Sequence, residues 1–216
     1  ALPISSAATM QVSRPWVQAS GLVGYWSFNN LDLTDKVYDR SGQGNDAYFE
    51  GGATSSAKVP GRLGQGMRFD GVDDVVSIPT FNNTYSSMTI TAWVRSRTDG
   101  AAYRGIVFSR NYPDISGLQM SDVFPGTTVA YVWNGSLSWN SGLVLPQDEW
   151  SFVALTVSPS LGTVYVGTNT GLATATNATA HGPATFNDLK FGLDWDAPSY
   201  WIGDIDEVRI YNRALT

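Results

Sequence analysis

The chain has 216 residues and a formal charge of −6, and only 15% of its residues are charged. That length buries a sizeable core, in one large β domain or two small ones. The acidic balance leaves no basic footprint for nucleic acid. The lack of cysteine excludes disulfides and thiolate metal sites, and no apolar run is long enough for membrane insertion as a spanning helix.

In chain order, residues 1–20 come first. They are rich in Ser, Ala and Pro and read as an N-terminal extension or linker, without the basic start and apolar stretch of a signal peptide. From residue 21 to 216 the reading is one all-β domain. "LVGYWSF" (Leu22 to Phe28) is the first strand-like run. "GMRFDG" and "DVVSIP" follow, split by Gly71 and Asp73. In "MTITAWVRSR" (Met88 to Arg97), Ile90, Ala92 and Val94 share one face. "GIVFSR", "TVAYVWNG", "WSFVALTVS", "GTVYVGTN", "DLKFGL" and "GDIDEVRIYN" complete the series, with turn residues between them. "GLATATNATAHGPATF" (Gly171 to Phe186) reads as a long surface loop or a flat edge strand. No segment keeps apolar residues at helical spacing beyond two turns. About a dozen strands without alternating helices predict a two-sheet antiparallel β-sandwich or barrel.

"DRSGQGNDAYFE" (Asp39 to Glu50) comes close to the EF-hand pattern, with Gly44 at its sixth position. An EF-hand needs helices on both flanks, and "LTDKVY" and "GGATSS" supply none. Two alternatives remain. Asp39, Ser41, Asn45 and Asp46 offer oxygens within eight residues, a donor set that suits calcium. The other is an Asx-type turn, in which Asp39 and Asn45 only cap backbone N–H groups.

Six stretches in order resemble the laminin-G-like jelly rolls of the concanavalin A-like lectin/glucanase superfamily. They are "GLVGYWSFNN", "DRSGQGNDAYFEGGAT", "GRLGQGMRFDGVDDVVSIP", "MTITAWVR", "EWSFVALTVS…TVYVGTN" and "WIGDIDEVRIYNRALT". The resemblance implies two facing antiparallel sheets, with the first and last strands close together. It also implies a calcium ion bridging the Asp39 loop and Asp206, with Ser41 and Asn45 behind them. The function it implies is a non-catalytic, lectin-like carbohydrate-binding module of a secreted or cell-surface protein. The alternative is a protein-binding or adhesive domain of such a protein, with no sugar ligand.

Catalysis is disfavoured. Asp204 and Asp206 alternate onto one strand face with Glu207 facing away, but the glucanases of the superfamily use a Glu-x-Asp-x-x-Glu strand. The three glutamates here, Glu50, Glu149 and Glu207, form no such motif, and the lone His181 leaves no triad. The tryptophans divide into two sets. Trp26, Trp93, Trp150 and Trp201 occupy positions that resemble the family's structural aromatics. Trp133, Trp139 and Trp195 stand in Asn- and Asp-rich stretches outside those blocks, and are the expected sugar-stacking rings. Arg110 and Tyr112 in "SRNYPD" join them as rim residues.

Overall fold

The computed structural model describes residues 20–98, 103–120, 127–194 and 199–216. Among these, the strands in chain order are β1 (Leu22–Trp26), β2 (Tyr48–Glu50), β3 (Lys58–Pro60), β4 (Gln65–Asp70), β5 (Val75–Tyr85), β6 (Met88–Ser96), β7 (Gly105–Asn111), β8 (Asp114–Met120), β9 (Thr128–Trp133), β10 (Leu137–Val144), β11 (Ser151–Ser158), β12 (Leu161–Thr168), β13 (Gly171–Asn177), β14 (Ala184–Phe191) and β15 (Ile202–Tyr211). One 3-10 turn, Asn30–Asp32, is the only helical element among the described residues. Most of the proposed N-terminal extension, residues 1–19, lies outside them.

The strands form two antiparallel sheets. One has eight strands in the order β13-β12-β11-β6-β15-β4-β3, with β1 also pairing β15; the other has seven, ordered β10-β9-β8-β7-β14-β5-β2. The first and last strands meet, Leu22 opposite Tyr211, as the jelly-roll resemblance implies. Alternation along β6 turns Ile90, Ala92 and Val94 inward, where they meet Val76, Ile78, Phe186 and Phe191 of the facing sheet in one continuous core. Trp26 of β1 and Phe191 of β14 join the sheets edge to face, 5.0 Å between centroids.

Two local departures from the sequence pattern matter. In β15 simple alternation turns Glu207 inward. Instead Glu207 has φ 54° at a register shift between Asp206 and Arg209, and its carboxylate accepts from Tyr25 Oη at 3.0 Å on the outer surface. The extra residue lets Val208 and Ile210 return to the core. The second departure is β10, which is not among the strand-like runs of the sequence. "LSWNSGLV" shows no clean alternation because it is the edge strand of its sheet and is half-exposed on both faces. β13, the corresponding edge of the other sheet, is exposed, the edge-strand alternative of the two readings its composition left open.

Candidate functional site

Three of the four expected calcium ligands, Asp39, Ser41 and Asn45, meet, but hydrogen bonds among them already engage the Asp39 oxygens. Asp39 Oδ1 accepts from the N–H groups of Tyr25 (3.0 Å) and Ser41 (2.8 Å); Oδ2 accepts from the Ser41 hydroxyl (2.7 Å) and the Asn45 N–H (2.9 Å). Asn45 donates its amide to the Val23 carbonyl, and its own carbonyl takes the Trp26 indole N–H. Calcium needs oxygens turned toward one point. Here N–H groups are turned toward the carboxylate instead. Asp206 belongs to another segment: its Oδ2 accepts from the N–H groups of Arg62 (2.8 Å) and Leu63 (3.0 Å) in the turn between β3 and β4. Its Oδ1 is buried without a partner, and burial pushes the carboxyl up to about 7. As arranged, these residues do not fit a calcium ion. The loop has the geometry of an Asx-type turn that ties Asp39 to β1.

The aromatic assignments also shift. Trp133 is 1% exposed; its indole N–H donates to the Gly182 carbonyl, and its ring packs on Phe186 and the buried His181. It is a core ring and presents no face to a sugar. Trp139 is half-buried on β10 and leans on Tyr131, closing the edge of the sandwich. Trp195 lies outside the described residues. Of the rings taken as structural, Trp26 and Trp201 are fully buried, but Trp93 and Trp150 are half-exposed on the outer face of the eight-stranded sheet. Alternation had already put Trp93 on the face opposite Ile90, Ala92 and Val94. Its place among family aromatics concealed that it faces outward.

Arg110 and Tyr112 do come together. They line a depression of about 270 Å³ on the outer face of the seven-stranded sheet, with Phe108, Asp188, Lys190, Leu193 and Asp194. Lys190 of β14 pairs with Phe108 of β7, and their neighbours Phe191 and Val107 point into the core, so Lys190 and Phe108 face out. The Arg110 guanidinium covers the Phe108 ring at 5.4 Å and grips Asp194 Oδ1 through Nη2 (2.5 Å) and Nε (2.6 Å). Asp194 Oδ2 is buried and has no hydrogen-bond partner. Burial outweighs the adjacent Arg110 charge and pushes this carboxyl up to about 6. Lys190 bridges Asp188 and Glu50, both at 3.4 Å, and the Tyr112 ring stands 86% exposed at the rim.

Sequence reasoning missed Asp188, Lys190 and Asp194. Part of the signal was present: in "DLKFGLD", Asp188 and Lys190 alternate against Leu189 and Phe191 and so share the outer face. Asp194 stood in the Asp-rich stretch around Trp195 that the sequence marks for sugar binding, but its pairing with Arg110, 84 residues away, left no local trace.

A two-sheet antiparallel sandwich closed by its own first and last strands defines the class. The chain belongs to the concanavalin A-like lectin/glucanases superfamily, whose laminin G family model matches residues 70–216. No curated protein sequence matches it. Among solved structures it is similar to domain 4 of AbnA, an extracellular GH43 arabinanase from Geobacillus stearothermophilus in complex with arabinotriose. That match has TM-score 0.69 and 21% identity, covering 91% of this chain and 95% of that one. It is also similar to the binding domain of Paraclostridial Mosquitocidal Protein 1 (TM-score 0.66, 19% identity, 91% of this chain and 50% of that one). A third likeness is to Trypanosoma rangeli sialidase in complex with the inhibitor DANA (TM-score 0.62, 19% identity, 92% and 32%). This chain thus spans half of the second relative and a third of the last. At these identities the likeness is one of fold.

Proposed function

We propose that this chain is a non-catalytic, lectin-like carbohydrate-binding module of an extracellular protein, and that the glycan occupies the depression around Asp194. The observation that carries this reading is Asp194 itself. A buried acceptor without a donor costs about 1–3 kcal/mol; Asp194 is among the residues lining the depression, and a sugar hydroxyl can supply that donor once the lining shifts to admit it to the buried Oδ2. The exposed Tyr112 ring offers a flat surface for the apolar face of a pyranose, with little side-chain entropy to lose. Asp188, Lys190 and Arg110 supply acceptors and donors for further hydroxyls. The superfamily supports the ligand class. The relative bound to arabinotriose, a domain of an extracellular enzyme, supports both ligand class and compartment.

The test is a glycan array followed by titration calorimetry on the best ligand. Tyr112→Ala is expected to weaken binding by about tenfold, corresponding to ~1.4 kcal/mol, without lowering the melting temperature. Unchanged affinity in both Tyr112→Ala and Asp194→Asn removes the site. Release of new reducing ends from the bound glycan removes the non-catalytic part of the reading.

A second reading, a protein-binding or adhesive surface domain, draws on β13. This edge strand, "GLATATN", carries no charge and no proline, the usual guards against added strands. An extended peptide protecting the β13 amides from hydrogen exchange would favour that reading.

A further inference from the structure

The outer face of the eight-stranded sheet carries a second depression, of about 330 Å³, lined by Arg62, Trp93, Glu149, Trp150, Thr168 and Asn169. We propose that it is a separate site for a carboxylate-bearing saccharide, with Arg62 as the anion contact.

The arginines of this face are the starting point. Arg68, Arg95 and Arg97 all pair with the buried Asp204, at 2.9, 2.5 and 3.2 Å, and Arg209 pairs with Glu207. Each is tied to a carboxylate within the sheet, although three of them share one and leave a net positive face. Arg62 lines the depression and makes no ion pair with any described residue. It is nevertheless held in place: its backbone N–H donates to Asp206, and its guanidinium lies 4.7 Å from the Trp93 ring centroid. Trp93 is in turn braced edge-on by Phe152 at 5.6 Å. A guanidinium fixed on an indole keeps its edge N–H groups available as a planar fork, the geometry that takes a carboxylate with two parallel hydrogen bonds.

The same stacking argues against a neutral sugar here. Trp93 carries Arg62, and Trp150 carries Arg95 at 5.2 Å, so the rings a neutral pyranose would stack on are already covered. Thr168 and Asn169, at the turn between β12 and β13, supply hydroxyl and amide groups for the remaining sugar oxygens. Glu149 stands exposed among the lining residues and repels additional negative charge. The site therefore suits one carboxylate of a hydroxyl-rich ligand at Arg62, with any further carboxylates held away from Glu149. The saccharide part of the proposal rests on the glycan-binding reading above; the carboxylate part rests on Arg62 alone.

The experiment titrates the full chain with a short oligogalacturonate, its methyl ester and a short Asp/Glu-rich peptide, reading heat and tryptophan fluorescence. The oligogalacturonate is expected to bind and to perturb the fluorescence. The methyl ester, which keeps the rings and loses the charge, should bind at least roughly tenfold more weakly, the loss of one hydrogen-bonded charge contact. Arg62→Gln should lose a similar factor with an unchanged melting temperature, because its backbone N–H still reaches Asp206. Glu149→Gln should bind the oligogalacturonate more tightly, and Asp194→Asn should leave its binding unaltered. The proposal is overturned if no oligogalacturonate binds, if the ester binds equally well, or if Arg62→Gln changes nothing. Equal or tighter binding of the acidic peptide also overturns it and makes the face a protein contact. If Asp194→Asn abolishes oligogalacturonate binding, there is one site and it is the first. Loss of neutral-glycan binding in Asp194→Asn, with the uronate results intact, tests the first site independently.

Discussion

Asp39 and Asp194 present the same chemical group and have opposite fates. Asp39 sits in a loop that looks like a ligand site, and each of its oxygens already receives two donors from its own fold. Asp194 sits in a segment with no recognisable motif, and one of its oxygens is buried with nothing to accept. Asp39 is spent on holding the Asp39–Asn45 loop to β1. Asp194 retains unused hydrogen-bonding capacity in the lining of a depression that an exposed ring also borders. A carboxylate's availability depends on the backbone N–H groups that tertiary folding turns toward it, and counting nearby oxygens in a sequence does not measure that.

The largest expected effect comes from removing the satisfied carboxylate. Asp39→Ala leaves the N–H groups of Tyr25, Ser41 and Asn45 without their acceptor. Each bond to a charged group is worth ~1.5–3 kcal/mol, but the loop is half-exposed and water replaces part of the loss. A destabilisation of about 3 kcal/mol in urea titration is expected. A loss below 1 kcal/mol would place Asp39 and Asp194 in the same category and break the contrast.

Asp194→Asn should do the reverse. Stability at neutral pH should change by less than about 1 kcal/mol, because burial already disfavours the charged form. Glycan affinity should fall by about tenfold.

A smaller, graded effect is the pH dependence. The folded-state value of Asp194 is raised from 3.8 to about 6, so the protonated group favours the fold. Its contribution is full below 3.8 and is lost as the pH rises through about 6. Wild type should lose stability relative to Asp194→Asn across that window. Glycan affinity should rise over the same range as the better acceptor, the carboxylate, forms. Asp194→Asn should flatten both curves.

The smallest expected effect is that of chelation. Because hydrogen bonds satisfy the Asp39 loop, excess EDTA should leave the melting temperature of the calcium-treated protein unchanged. A fall reversed by added calcium would show that a cation reorganises the loop, and Asp39 would then be the ligand its sequence suggests.

Much of this molecule was determined by the sequence alone. The period-two pattern of Met88–Ser96 states which residues face the core, and Ile90, Ala92 and Val94 do so. Repeated runs of this kind, with turns between them and no helical period, are enough for an antiparallel sandwich, and the blocks quoted from the chain are enough for its superfamily. Alternation is local: it follows from the geometry of one strand. It puts Trp93 on the outer face but says nothing of what covers that face, so the Arg62 guanidinium over its ring could not be read from the sequence. Glu207 escaped the pattern because a single positive φ shifts the phase of the strand. Hydrogen bonding to the carboxylates is less local still. Asp39 is held in part by Tyr25, 14 residues away, Asp194 by Arg110 at 84, and Asp206 by Arg62 at 144. Those partners meet only when the strands between them have paired, and that step decides which acid braces the fold and which is left for a ligand.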